Sequence, residues 1–253
     1  MSAFRFALAA ALAIALGACS PKPEPGFQGW VEADFLFVGP DESGRIEMLT
    51  TREGETIEKG ANIFTLDSEL QKADLAQAEA ALTNAQQAFD RAATLLKANA
   101  GTQRAYEDAE AALRIAQART NSSQTRLARR RVASPATGVV QQVYFRPGEM
   151  VTAGRPIVAL LPPDNVKVRF FVSEPLLATL AIGAPVTVRC DGCAADLNAK
   201  ISFISRNAEF TPPVIYSTEE RSKLVYLVEA RPETPDKLRV GQPVSVRVEG
   251  MRR

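Results

Sequence analysis

Two amphipathic seams of similar length, separated by a short break, constrain this chain more than any other feature. Between residues 68 and 131 the first seam runs Leu75, Ala78, Leu82, Ala85, Phe89, Ala92, Leu96. The second runs Tyr106, Ala109, Leu113, Ala116, Thr120, Ser123, Leu127. Steps of three and four residues bury one stripe of a helix against a partner. The break Lys97-Ala98-Asn99-Ala100-Gly101 is short enough to return the chain antiparallel. Gly101 is expected to supply the left-handed turn that ends the first helix, and Thr102 the N-cap of the second. Each arm of about 30 residues would then be roughly 45 Å long. Ala-rich seams let two helices approach closely but bury little area, and no third apolar helix follows to cover them. The spacing therefore predicts a thin antiparallel coiled coil over 68–131 that projects from the rest of the chain.

The N-terminus reads as a targeting segment. Arg5 precedes an apolar run from Phe6 to Leu16, too short to span a bilayer. The run ends in Leu16-Gly17-Ala18-Cys19, which is similar to the lipobox of bacterial lipoproteins. That resemblance implies a signal peptide over 1–18, cleavage before Cys19 and a lipid on the Cys19 thiol. Residues 19–30, with Pro21, Pro23, Pro25 and Gly26, read as an extended tether. No later apolar stretch is long enough for a transmembrane helix.

Charge and composition exclude several classes of function. The 30 basic and 29 acidic residues are interspersed, so no basic face for nucleic acid is indicated. Histidine is absent. That removes the commonest general base and metal ligand and argues against hydrolytic or metal-dependent catalysis. The chain is expected not to be an enzyme, and to carry no metal or other cofactor.

Flanking the two seams is an internal repeat. The stretch from Ser43 to Leu66 lies over Thr137 to Leu160 without a gap. Gly44 matches Gly138, Arg52 matches Arg146, and Gly54-Glu55 matches Gly148-Glu149. Gly60 then matches Gly154, Ile63 matches Ile157, and Leu66 matches Leu160. Each copy has the form strand, turn, short strand, turn, strand, with glycine where the turns need positive φ. The two copies are expected to pack as a flattened β-sandwich.

This spacing resembles the biotinyl/lipoyl-carrier fold, and a carrier interrupted by a helical hairpin resembles the periplasmic adaptor subunits, or membrane fusion proteins, of the HlyD family. In true carriers the cofactor-bearing lysine sits in the turn joining the halves. Here the hairpin occupies that place, so no lipoyl or biotinyl group is expected. At the tip, Arg91, Leu95 and Thr102 resemble the Arg, Leu, Ser pattern of adaptors that dock to outer-membrane channels of the TolC type, with Thr in place of Ser. Arg91 would donate a fork of hydrogen bonds, Leu95 would fill a groove, and the Thr102 hydroxyl would add a contact.

Residues 162–253 read as a small β-barrel. Strands are predicted at 166–172, 185–189, 200–204, 224–229 and 244–248 from their alternation, with a short helix from Glu174 to Ala181. The segments Ala208–Pro213 and Thr218–Tyr226 are similar to adaptors that serve ABC-type exporters. Cys190-Asp191-Gly192-Cys193 offers a redox pair, half a zinc site, or a disulfide pinning a turn. Asp-Gly between alternating strands predicts a type I′ hairpin, and in an oxidising compartment the disulfide is the expected state. Such a short loop makes it worth under about 2 kcal/mol.

The resemblance thus implies a mainly β chain with an inserted α-helical hairpin. Its parts are a lipoyl-like domain over 31–67 and 132–161, the hairpin over 68–131, and the barrel over 162–253. It implies a lipid-anchored periplasmic adaptor on the inner membrane, self-associated into a ring of about six. Its partners would be an inner-membrane transporter, with the ABC type favoured and the RND type the other class open, and a TolC-like outer-membrane channel. Ser20 opposes the inner-membrane assignment, since Ser after the lipidated cysteine permits outer-membrane sorting in enteric bacteria. The alternative function is an envelope lipoprotein that uses its coiled coil as a scaffold without transport.

Overall fold

The computed structural model describes residues 26–193, 195–210 and 224–248. It forms two compact units: one of Ala33–Val166, the other bringing together the described residues up to Glu32 and from Lys167 onward. The lipobox and Cys19, residues 211–213 and 218–223 of the two ABC-like segments, and the C-terminal five residues lie outside the described residues.

The first unit is built on the internal repeat. Strands β2 (Leu36–Val38), β3 (Gly44–Leu49), β4 (Thr56–Ile57) and β5 (Asn62–Leu66) precede the helices, and β6 (Arg131–Ala133), β7 (Gly138–Val143), β8 (Met150–Val151) and β9 (Val158–Leu161) follow. They make two four-stranded sheets, ordered β2-β9-β7-β4 and β6-β5-β3-β8. Each sheet therefore contains strands of both copies, and the short middle strand of each copy pairs with the first strand of the other. Gly44 lies opposite Val151, and Ile57 opposite Gly138, which are equivalent pairs.

The backbone bonds repeat with the same symmetry. Gly54 N–H donates to Val140 O at 2.8 Å, and Gly148 N–H donates to Ile46 O at 2.8 Å. Both glycines have positive φ, 83° and 93°, a conformation that costs other residues about 1–2 kcal/mol. The glutamate after each glycine accepts from the backbone of its own turn. Arg52 N–H reaches Glu55 at 3.0 Å and Arg146 N–H reaches Glu149 at 2.9 Å. The Gly-Glu signature is thus a self-bracing turn. The core is shared equally, with Ile46, Ile57, Ile63, Phe64 and Leu66 matched by Val140, Val151, Ile157, Val158 and Leu160.

Between the copies stand helices α1 (Glu69–Lys97) and α2 (Gln103–Ala128). Every seam residue of α1 is half-buried, and on α2 Ala116 and Thr120 are fully buried. The Thr120 hydroxyl lies 3.2 Å from Ala78 O across the pair and 3.1 Å from Ala116 O in its own helix. Near the bend Phe89 and Tyr106 meet with ring centroids 5.3 Å apart. At 1.5 Å per residue, the 29-residue α1 is about 44 Å long.

The bend itself corrects one expectation. The left-handed residue is Asn99, at φ 54°, and not Gly101. Ala100 N–H donates to Leu95 O at 2.8 Å and Asn99 N–H to Leu96 O at 3.0 Å, the paired closure of a Schellman cap. Asn tolerates that conformation better than most residues. Gly101 is needed for space instead. A Cβ there would stand 3.1 Å from Leu95 Cβ and 3.1 Å from Leu96 N.

The second unit is a closed six-stranded barrel, ordered β1-β10-β13-β12-β11-β14. Its strands are β1 (Phe27–Ala33), β10 (Val166–Ser173), β11 (Pro185–Arg189), β12 (Leu197–Phe210), β13 (Leu224–Pro232) and β14 (Pro243–Val248). In β10 the side chains alternate between buried and half-buried along all eight positions, as a barrel wall requires. Residues 27–30, expected in the tether, form most of β1. They pair antiparallel with β14, Phe27 opposite Val246 and Trp30 opposite Pro243. The physical reason is closure, because without β1 the facing edges of β10 and β14 would be unpaired. Two further expectations shift. Strand β12 is much longer than 200–204, and regular helix after β10 is confined to α3 (Glu174–Leu177).

Candidate functional site

Arg91, Leu95 and Thr102 all lie at the bend of the helical hairpin and are exposed. Leu95 is one turn beyond Arg91 on α1 and remains 50% exposed, although its carbonyl closes the Schellman cap. Gly101 lies against Leu95, and Thr102 is the next residue in the chain. The Thr102 hydroxyl accepts from Ala105 N–H at 3.1 Å, so it caps α2 while standing in solvent. Among the described residues, no hydrogen bond or ion pair engages the Arg91 guanidinium. The three side chains form a small surface with a free forked donor, an unburied apolar group and a hydroxyl. It is held in shape by the cap below Leu95 and the Phe89–Tyr106 contact.

Sequence reasoning missed the residue that fixes the hairpin at its root. Arg130 follows α2 and is 8% exposed. Its guanidinium donates to Ser43 O at 2.9 Å and to Glu42 at 3.0 Å. The Gln71 amide, with its oxygen turned toward the guanidinium, accepts from Arg130 Nε at 3.1 Å. One side chain thus ties the end of α2, the start of α1 and the loop before β3. Gly44 leaves the room, since a Cβ there would come within 2.7 Å of the guanidinium. Its only trace in the sequence is the run Arg129-Arg130-Arg131, in which nothing local distinguishes the middle residue.

In the barrel, Cys190 and Cys193 are joined by a disulfide across a turn closed by Cys193 N–H to Cys190 O at 3.2 Å. Gly192 has positive φ and Asp191 does not, so the turn is not type I′, and the strands resume pairing only at Val188 opposite Leu197. The bridge already holds the ends of this turn, so the central pair need not supply the hairpin twist. Outside it, Arg189 forks onto Asp196 at 2.8 and 3.2 Å. That hydrogen-bonded pairing holds the Asp196 carboxyl below its usual range and raises Arg189.

Among the described residues, no group of three His, Cys, Asp or Glu is placed to hold a metal ion. No described helix is long and apolar enough to cross a membrane.

No family model matches the sequence. Among curated proteins the chain is similar to a UPF0194 membrane protein of Acidithiobacillus ferridurans, 35% identical over 185 residues, covering 70% of this chain and 54% of that protein. A UPF0194 membrane protein of Yersinia pseudotuberculosis is 32% identical over 182 residues, covering 71% and 55%. The chain spans about half the length of the curated relatives it matches. Among solved structures, a MacA–MexA chimera carrying the Pseudomonas aeruginosa MexA α-hairpin domain superposes with a TM-score of 0.72 at 21% identity, covering 88% and 79%. The membrane fusion protein Spr0693 of Streptococcus pneumoniae superposes with a TM-score of 0.67 at 20% identity, covering 89% and 98%. The split sandwich with its inserted helical hairpin and the closed barrel thus have the fold of these solved structures, one of them a membrane fusion protein.

Proposed function

We propose that this chain is a periplasmic adaptor of an export system, linking an ABC-type inner-membrane transporter to a TolC-like outer-membrane channel. The observation that carries the reading is the unpartnered Arg91 beside half-exposed Leu95 at the end of an arm about 44 Å long. A half-buried seam and a braced bend present these groups where, among the described residues, no side chain pairs with Arg91. A lipid on Cys19 holds the protein to the periplasmic face of the inner membrane. Copies of the sandwich unit pack side by side into a ring, about six in number, with the hairpins forming a tube. The protein performs no chemistry and holds no cofactor; its work is geometric.

The test is Arg91→Asp. Reversal of an exposed charge should change stability by no more than about 0.5 kcal/mol. Docking loses a forked donor and gains repulsion against any facing carboxylate. Export by cells carrying the variant should fail, while the protein accumulates, is lipidated and still co-purifies with the transporter. Full export in Arg91→Asp, and again when Leu95→Ser is added, would sink the docking surface and favour the scaffold function.

A further inference from the structure

The barrel has one end that the adaptor reading leaves unexplained. Its strands alternate in direction, so β1 begins at the end where β10 finishes and β11 starts. One connection at that end is the 174–184 stretch, Glu-Pro-Leu-Leu-Ala-Thr-Leu-Ala-Ile-Gly-Ala, which carries a single charge, Glu174. Leu176, Leu177 and Leu180 are half-buried under it. Ile182 is 71% exposed, the most exposed of the large apolar side chains among the described residues. It is presented on a tight turn, with Gly183 N–H bonded to Ile201 O at 2.8 Å and Ala184 N–H to Ala181 O at 3.1 Å.

We infer that this rim, with Ile182 at its apex, rests in the interfacial layer of the bilayer that anchors Cys19. The inference rests on the lipid anchor proposed above. Two observations select a lipid surface as the occupant. The first is chain length: Phe27, at the start of β1, is only eight residues beyond Cys19. Fully extended, they reach at most about 29 Å, so the end where β1 begins cannot move far from the anchor. The second is chemistry. The 174–184 connection offers an apolar apex, Ile182, with one nearby carboxylate, Glu174, and among its own residues no cluster of basic or acidic side chains that would pair with a charged protein surface. A single exposed isoleucine binds a membrane weakly. Beside a covalent anchor its local lipid concentration is high, so a weak contact is occupied.

The experiment uses the full lipidated chain in vesicles of phosphatidylethanolamine and phosphatidylglycerol, part of the lipid carrying brominated acyl chains. The chain's one tryptophan is first replaced, Trp30→Phe, and a reporter is introduced as Ile182→Trp or, in a second variant, Ala181→Trp. The control is Val240→Trp, an exposed residue in the β13–β14 connection at the opposite end. Circular dichroism and mass, including the lipid on Cys19, are recorded for each preparation. Bromine should quench the 182 and 181 reporters at least twofold and blue-shift their emission, leaving the 240 reporter unchanged. Equal quenching at both ends, or none at 181 and 182 in protein whose mass shows the lipid, overturns the rim contact and leaves the anchor standing. The rim would then be open to a protein partner. A mass without lipid on Cys19 overturns the anchor, and the rim contact falls with it.

Discussion

At the scale of single residues, Arg130 holds the hairpin to the sandwich. Its guanidinium is nearly buried, whereas Glu42 is 34% exposed and can partly rehydrate. Removing the donors strands Ser43 O and the Gln71 amide and loses one charged bond. Arg130→Met should therefore cost about 2–3 kcal/mol, read as a lower urea midpoint at unchanged slope. Arg130→Lys should recover less than half, because an ammonium cannot serve three partners at the positions of a planar fork. Asp196 makes the corresponding point about pH. Its carboxyl is held below the ordinary carboxylate range by Arg189. The stabilisation from the pair is present above the unfolded carboxylate pKa and is lost as pH falls through the lower, folded value. Carbon-13 NMR should find Asp196 titrating at lower pH in the native chain than in Arg189→Gln.

At the scale of elements, the hairpin and the barrel answer differently to substitution. The α1 seam is half-buried throughout and contains no fully buried residue, so the pair is stabilised by a long shallow contact. Leu82→Asp places a carboxylate into that contact, where it keeps some water and costs about 1–3 kcal/mol. Helical circular dichroism should weaken and trypsin should cut α1 and α2 first, with the β-sheet transition unmoved. Simultaneous loss of helix and sheet would mean that the hairpin shares a folding unit with the sandwich. Asn99 and Gly101 show how much the bend depends on local closure. The cap chose the residue one step past Ala98 for the left-handed turn, leaving glycine for the place where Leu95 comes too close for a side chain.

At the scale of the whole molecule, the barrel is completed by the first described strand of the chain. Gln28 Nε2 bonds Ser245 Oγ at 3.3 Å across a separation of 217 residues, so the barrel cannot close until both termini are present. Deleting 27–33 should expose the edges of β10 and β14. The barrel should then become sensitive to protease or associate through those edges, while the sandwich and hairpin, which have their own core, keep their transition. An unaltered melting curve for the barrel after that deletion would show that β1 is a dispensable cover.

The sequence by itself determined the features that depend on neighbours a few residues apart. The seams recur at helical spacing, and each is found on the inner face of its helix. The two copies of the repeat place glycine at both positive-φ turns and glutamate where it accepts from its own turn, so the sandwich was legible from one half laid over the other. Tertiary structure decided the rest. Whether 27–30 is tether or strand depends on β14, which is far away in sequence, and the seven residues of β1 are too few, with Gly29 among them, to declare a strand alone. Arg130 reads as one of three consecutive arginines until folding brings Glu42, Ser43 and Gln71 around it. Periodicity and turn chemistry are encoded locally, whereas an edge that must be closed or a charge that must be paired is defined only by the partner that folding supplies.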